Sequence, residues 1–248
     1  DITVFAPKGR GEAGTLEMVH FLKKVLEERY DGICISPIAD LRVEKLLQKM
    51  AEKGVEVIFI LSAFDSVPYR TLIGTDSYQC GEAVREALGA DGAVGIIKWK
   101  DNLIETVEDR YHGVVDVLKE NRIPYYDMTG PGEPTAEEAT KLTDRLLTEH
   151  PDISVLCATN VGWGLAFARY LKSKGKKVKL VTVDFTDEVG EFMKAGYVDA
   201  AIAQRPESWG SMTLEKIEAV FEGQSIPKTI DTGTYPVTPA NIRIYVKD

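Results

Sequence analysis

The sequence is poor in the residues that carry most metal and nucleophile chemistry, with three histidines and three cysteines in 248 residues. His20, His112 and His150 fall in helical segments without a serine or cysteine partner motif, and neither H-E-x-x-H nor C-x-x-C occurs. No metal site, no cofactor and no enzymatic activity are therefore expected. Cys34, Cys80 and Cys157 are odd in number and lack metal spacing; Cys34 and Cys157 sit inside apolar runs, so the three read as small core residues. No apolar run approaches the roughly 20 residues of a membrane-spanning helix. Basic side chains are also short, 30 against 39 acidic for a net charge of -9, which disfavours nucleic acid and anionic membranes as partners. Asparagine and glutamine number four each beside abundant Glu and Lys, a bias of heat-adapted proteins. The chain opens at Asp1 without a basic and apolar leader; a secretory signal, if one preceded it, has been removed from this sequence.

What the sequence has in quantity is alternation. Short β-branched runs take turns with amphipathic helical stretches almost from end to end, which predicts parallel sheets covered by helices. The expected strands are 2–6, 32–36, 55–61, 93–97, 123–128, 153–158, 178–183 and 198–203. Runs such as Val57-Ile58-Phe59-Ile60-Leu61 are apolar on successive residues, as in strands buried on both faces. Helical stripes run through Leu22, Val25, Leu26 and Tyr30; Leu46, Leu47 and Met50; Ile104, Val107, Tyr111, Val115 and Leu118; and Ala139, Leu142 and Leu146. Thr135 and Glu138 have capping-box spacing, and Gly54 and Gly175 stand where helices should end. At 27.4 kDa the chain is comfortable for two lobes, each with its own core.

In open α/β sheets ligands sit beyond the carboxyl ends of the strands. The residues there are Ser36-Pro37, Ser62-Ala63-Phe64-Asp65, Lys98-Trp99-Lys100-Asp101-Asn102, Thr159-Asn160-Val161-Gly162-Trp163, Asp184-Phe185-Thr186 and Gln204-Arg205-Pro206. Carboxylate, amide and guanidinium groups that bond paired hydroxyls share these loops with flat rings that cover apolar sugar faces, the mixture a carbohydrate site needs. The charged 98–102 loop reads as solvated, with a phosphate clamp as the alternative. Lys8-Gly9-Arg10-Gly11-Glu12-Ala13-Gly14 lacks both G-x-G-x-x-G and a G-K-[ST] ending, so it reads as a flexible loop and not a phosphate cradle.

Several segments carry a family resemblance. Ile73-Gly74-Thr75-Asp76-Ser77-Tyr78 followed by Gly81, Asp109-Arg110-Tyr111-His112-Gly113, Val183-Asp184-Phe185-Thr186 with Ala195-Gly196-Tyr197-Val198-Asp199-Ala200, Ala203-Gln204-Arg205-Pro206 with Gly210, and Ile230-Asp231-Thr232-Gly233 with Val237-Thr238-Pro239-Ala240-Asn241 stand in one order over nearly the whole chain. Together they resemble the type I periplasmic substrate-binding proteins, in the ribose- and glucose-binding branch that serves ABC sugar importers. The resemblance implies two Rossmann-like (flavodoxin-like) α/β lobes with parallel sheets, joined by a hinge of several crossings: residues 1–91 with 206–230, and 92–205 with 231–248. It implies a periplasmic or extracellular receptor, soluble or lipid-anchored, monomeric, that closes on a small sugar or polyol and delivers it to an ABC permease.

Two segments depart from the family pattern. Asp1 to Pro7 resembles the second family strand, so about one βα unit is missing ahead of it; a cut chain is the favoured reading, beside a partner-supplied segment and a rearranged sheet. After the 55–61 strand, Leu61-Ser62-Ala63-Phe64 stands where a ligand-binding Asp is usual. The resemblance assigns ligand contact to Arg110, Asp184, Gln204 and Asn160, with Trp163, Trp99, Phe185 and Phe64 as stacking candidates. Each has a plainer structural alternative: helix cap for Asp184, surface guanidinium for Arg110, loop amide for Gln204, turn residue for Asn160, and core packing for the aromatics. A sugar-sensing domain of a signalling receptor is the alternative function, and a repressor effector domain would need an amino-terminal helix-turn-helix that the sequence does not show.

Overall fold

A computed structural model of the chain describes residues 1–9, 11–88, 92–100, 105–132 and 134–245. Arg10, Asp101, Asn102 and Ile104, which entered the sequence reading, lie outside them. The elements begin with α1 (Glu12–Glu28), β1 (Gly32–Ile35), α2 (Leu41–Glu52), β2 (Glu56–Ile60), β3 (Thr71–Gly74), α3 (Ser77–Glu82) and α4 (Val84–Leu88). They continue with β4 (Ala93–Trp99), α5 (Glu105–Glu120), β5 (Tyr125–Gly130), α6 (Ala136–Glu149), β6 (Ile153–Ala158) and α7 (Val161–Lys174). The last are β7 (Lys179–Val183), α8 (Asp187–Lys194), β8 (Ala200–Ala203), α9 (Pro206–Phe221), β9 (Thr229–Asp231), β10 (Tyr235–Val237) and a 3-10 turn at Ile242–Ile244.

The chain divides into two units, Asp1–Thr75 with Arg205–Thr232 and Asp76–Gln204 with Gly233–Asp248. The first holds a parallel sheet in the order β1-β2-β3-β9. Side chains alternate across it. Ile33, Ile35, Val57 and Phe59 join Leu22 of α1 and Val43, Leu47 and Met50 of α2 in one core, while Gly32 and Cys34 meet Ile217 and Thr213 of α9. Burial on that side pushes the Cys34 thiol up to about 11.

Residues 2–6 were expected as a strand and form none. A strand needs a ladder partner for its backbone groups, and among the described residues β1 pairs only with β2. Ile2 and Val4 are exposed; the segment is held by stacking of Phe5 on Phe21, ring centroids 4.3 Å apart, and by the Tyr30 hydroxyl donating to Thr3 Oγ1 at 3.1 Å. The loop that follows is tied to its own helix: the backbone N–H groups of Lys8 and Gly9 donate to the Glu17 carboxylate, which sits where an anion would have to.

The second unit carries the sheet β10-β8-β7-β6-β4-β5, parallel except for β10 against β8. Both faces are covered, as the unbroken apolar runs imply. Leu156, Ala158 and Leu180 face Leu146, Phe167 and Val189 of α6, α7 and α8, and Val155, Cys157, Val181 and Val183 face Cys80, Val84, Val114 and Leu118 of α3, α4 and α5. Burial pushes the Cys157 thiol up to about 12. The expected caps are present: Thr135 and Glu138 form a reciprocal capping box, and Gly175 ends α7 in the left-handed conformation at φ 60°.

Residues 76–91 were expected with the first lobe; the described part of that segment packs in the second unit instead. The cause is a close approach of α3 to α5. A Cβ at Gly81 would stand 2.2 Å from the Arg110 carbonyl oxygen, and one at Gly113 2.2 Å from that of Tyr78, so the helices meet through bare backbone. The two glycines were read from the sequence only as motif residues; their packing role is physical and local to this unit.

Candidate functional site

At the carboxyl edge of the second sheet, polar side chains stand in a row over four adjacent strands. Gln204 follows β8, Asp184 follows β7, Asn160 follows β6 and Trp99 closes β4. Arg110 reaches the row from α5 and is 4% exposed. Its Nη1 donates to the Thr159 carbonyl at 3.4 Å and to Asp184 Oδ2 at 3.4 Å. The other Asp184 oxygen, Oδ1, accepts a hydrogen bond from Gln204 Nε2. One buried cation thus faces one carboxylate, which leaves the cluster near neutrality and suited to an uncharged ligand rich in hydroxyls.

Local backbone chemistry places each group. Asn160 caps α7: its Oδ1 accepts from Trp163 N at 3.0 Å, turning its Nδ2 the other way. Asp184 has φ 71°, a left-handed backbone that Asp tolerates better than most residues, and its N–H donates to Ile202 O at 2.9 Å. The first unit repeats the turn: Leu61 after β2 has φ 68° and donates to Ile73 O of β3 at 2.9 Å. An apolar side chain there replaces the carboxylate.

The row is under-bonded. Arg110 Nε, Asn160 Nδ2, Gln204 Oε1 and Trp99 Nε1 are buried without a hydrogen-bond partner among the described residues. Native proteins pair nearly all such atoms, and four of the six orphaned buried side-chain atoms among the described residues stand in this row.

The expected aromatics divide. Trp163 is no stacking surface: it is fully buried, tilts against Phe167, and its Nε1 donates to the Pro131 carbonyl at 2.9 Å. Its ring fills the core under α7 because the Asn160 cap starts the helix and turns this residue inward. Phe185 is part-buried, edge-on to Tyr245 with centroids 6.3 Å apart. Phe64 belongs to the first unit, edge-on to Phe59 at 6.2 Å, and is not part of the row. Lys98 is engaged within the second unit by Glu108 at 3.5 Å and by the Tyr111 ring at 5.0 Å, and Lys100 is exposed. The Thr159 carbonyl and the Gly130-Pro131-Gly132 turn beneath the two tryptophans were not singled out; the Gly-Pro-Gly composition is the signal that marks that turn. Among the described residues no group of three His, Cys, Asp or Glu side chains is placed to hold a metal ion, and no helix is long and apolar enough to cross a membrane.

A polar row at the carboxyl edge of a parallel sheet is where open α/β proteins hold small ligands. The chain belongs to the periplasmic binding protein domain family, whose model matches residues 2–225. This is a family of binding proteins, not enzymes. A ribose import binding protein of Bacillus subtilis is 22% identical over 220 residues, 84% of this chain and 69% of that protein. Its counterpart in Escherichia coli is 31% identical over 103 residues, 41% and 32% of the two chains. Solved structures share the fold. A solute-binding protein of Burkholderia graminis in complex with D-arabinose has a TM-score of 0.82 at 24% identity, covering 98% of this chain and 86% of that one. A sugar-binding protein of a Bacillus halodurans sugar ABC transporter has a TM-score of 0.84 at 19% identity, covering 93% and 85%.

Proposed function

We propose that this protein is an extracytoplasmic solute receptor that captures a small neutral sugar or polyol and delivers it to an ABC permease. The observation that carries the reading is the under-bonded row: three donors and an acceptor left unpaired beside one charge-balanced Arg110–Asp184 pair. A hydroxyl donates and accepts at once, so a polyol satisfies both kinds of orphan with one functional group. The names of the relatives point the same way, toward ribose import and bound D-arabinose. Asp184, Arg110, Gln204 and Asn160 are the proposed contacts, with Phe185 and Phe64 as secondary apolar ones. Two lobes closing on the ligand, in a monomer, are the proposed mechanism, because ligand that bonds the closed form shifts the population toward it.

The test is a thermal melt of the chain with D-ribose, D-arabinose, D-allose, D-tagatose, D-glucose and D-galactose. A sugar at a hundredfold excess over its dissociation constant adds about 2.7 kcal/mol, a shift of about 5–10 °C for a chain of this size. Asp184→Asn should abolish that shift while the unliganded protein still melts cooperatively. A shift that survives Asp184→Asn and Arg110→Met unchanged would place binding elsewhere, and no shift with any of the six would reject the sugar reading.

A further inference from the structure

Trp99 ends β4, one strand beyond β6 and Asn160 in the row. Its ring packs against Gly132: a Cβ at that glycine would stand 2.9 Å from Cε3 and 3.0 Å from Cζ3 of the indole. Two residues earlier, a Cβ at Gly130 would stand 2.8 Å from Cζ2 of Trp163. One Gly-Pro-Gly turn therefore seats two indoles. The carbonyl between them, that of Pro131, takes the Trp163 N–H at 2.9 Å, and the Trp99 N–H is left buried without an acceptor among the described residues.

The contrast matters because the two rings share a turn and differ in fate. Trp163 is wholly inside the core, where its hydrogen bond completes the packing. Trp99 is only partly buried, with an indole N–H that can donate and never accept. Along the row the unpaired acceptor, Gln204 Oε1, stands at the β8 end, Arg110 Nε donates beside Asp184, whose oxygens are bonded by Arg110 and Gln204, and Asn160 Nδ2 and Trp99 Nε1 at the β6 and β4 end donate.

We infer that Trp99 is a specificity-determining residue whose Nε1–H donates to an oxygen of the bound sugar, and that the missing side chain at Gly132 is what sets the ring in that position. The inference deepens the proposed sugar reading and rests on it. It replaces a stacking role for Trp99 with a directional one. The ligand must then carry an oxygen with a free lone pair, a ring oxygen or a hydroxyl, at the end remote from Asp184.

The experiment uses the full chain and whichever of D-ribose, D-arabinose, D-allose and D-tagatose gives the largest melting shift, with affinity measured by calorimetry and the unliganded melt recorded for each variant. Trp99→Phe keeps a ring and removes the donor; it should weaken that sugar about five- to tenfold, the size of one neutral hydrogen bond, and leave the unliganded melt within about 2 °C of the parent. Trp163→Phe is the control, lowering the unliganded melt because the Pro131 carbonyl loses its donor. Gly132→Ala should weaken the sugar as much as Trp99→Phe or more, since the ring must move. Affinity of Trp99→Phe within twofold of the parent, while Asp184→Asn still abolishes binding, would overturn this inference and leave the sugar reading standing. A fall in the unliganded melt of Trp99→Phe as large as that of Trp163→Phe would overturn it too, by showing that the indole N–H is already satisfied. Parent affinity in Gly132→Ala would overturn the part assigned to the glycine. Absence of binding by the parent chain would overturn both readings together.

Discussion

The Arg110–Asp184 pair permits a quantitative test that needs no ligand. The Arg110 side chain is 5% exposed and that of Asp184 29%, with Nη1 and Oδ2 3.4 Å apart. A hydrogen bond to a charged group contributes about 1.5–3 kcal/mol. The separation here is at the long end of bonding distance and Asp184 is partly screened by solvent, which brings the expected coupling to about 1–2 kcal/mol. Removing one partner should hurt unequally. Asp184→Asn leaves a buried guanidinium without its counter-charge and one amide oxygen where two carboxylate oxygens served Arg110 and Gln204, and should be the less stable single variant; Arg110→Met removes the buried charge itself. The double variant should therefore be less destabilised than the two singles added together. Urea unfolding of the four proteins gives the coupling directly, and strict additivity within about 0.3 kcal/mol would refute the claim that the two side chains act as a pair.

Three further outcomes follow from the fold. Gly81→Ala should destabilise the second unit by at least about 1–3 kcal/mol, because its Cβ would sit 2.2 Å from a backbone oxygen; a urea midpoint equal to that of the parent would show that α3 can move away from α5 freely. Thr135→Ala should cost about 1 kcal/mol through loss of the capping box, seen as a melting temperature lower by about 2–4 °C with sugar affinity unchanged. Asp40, hydrogen-bonded to Arg42, has its carboxyl held down at about 2, below the value near 3.9 of an unfolded chain. A depressed native value means that its contribution is complete above about pH 4 and is lost as pH falls through 2. Asp40→Asn keeps a side-chain acceptor for the α2 cap, so melting temperatures compared between pH 4 and pH 2 should fall less steeply than in the parent.

Local signals were the legible ones. The Thr135–Glu138 box, the Gly175 terminus and the double-sided burial of 56–60 depend on residues within a few positions of one another, and each stands as the sequence implied. The row of Gln204, Asp184 and Asn160 was legible for the same reason: an open parallel sheet puts the residue after each strand at one edge. Residues 2–6 have the composition of a strand, but a strand is made by its neighbour, and that is not a property of the segment. Trp163 follows a strand as Trp99 closes one, yet the Asn160 cap turns it into the core, an orientation that depends on helical phase and not on strand position. The β3 and β9 strands are four and three residues long, too short to carry a period of their own. Placement of 76–88 depended on a helix contact between residues about 30 positions apart, which no local pattern reports.

The left-handed backbone at Asp184 sets a conflict for any selection that rewards heat resistance alone. A non-glycine residue there gives up about 1–2 kcal/mol relative to a relaxed backbone, and glycine recovers most of it without steric cost. At Asp184 that relief is offset by the loss of the counter-charge of the buried Arg110, so a library screened only for survival at high temperature should gain little from Asp184→Gly. Leu61 offers the same backbone relief in the first unit without surrendering a carboxylate. Backbone relief and the counter-charge of Arg110 can be separated in this chain by choosing which of two nearly identical turns to relax.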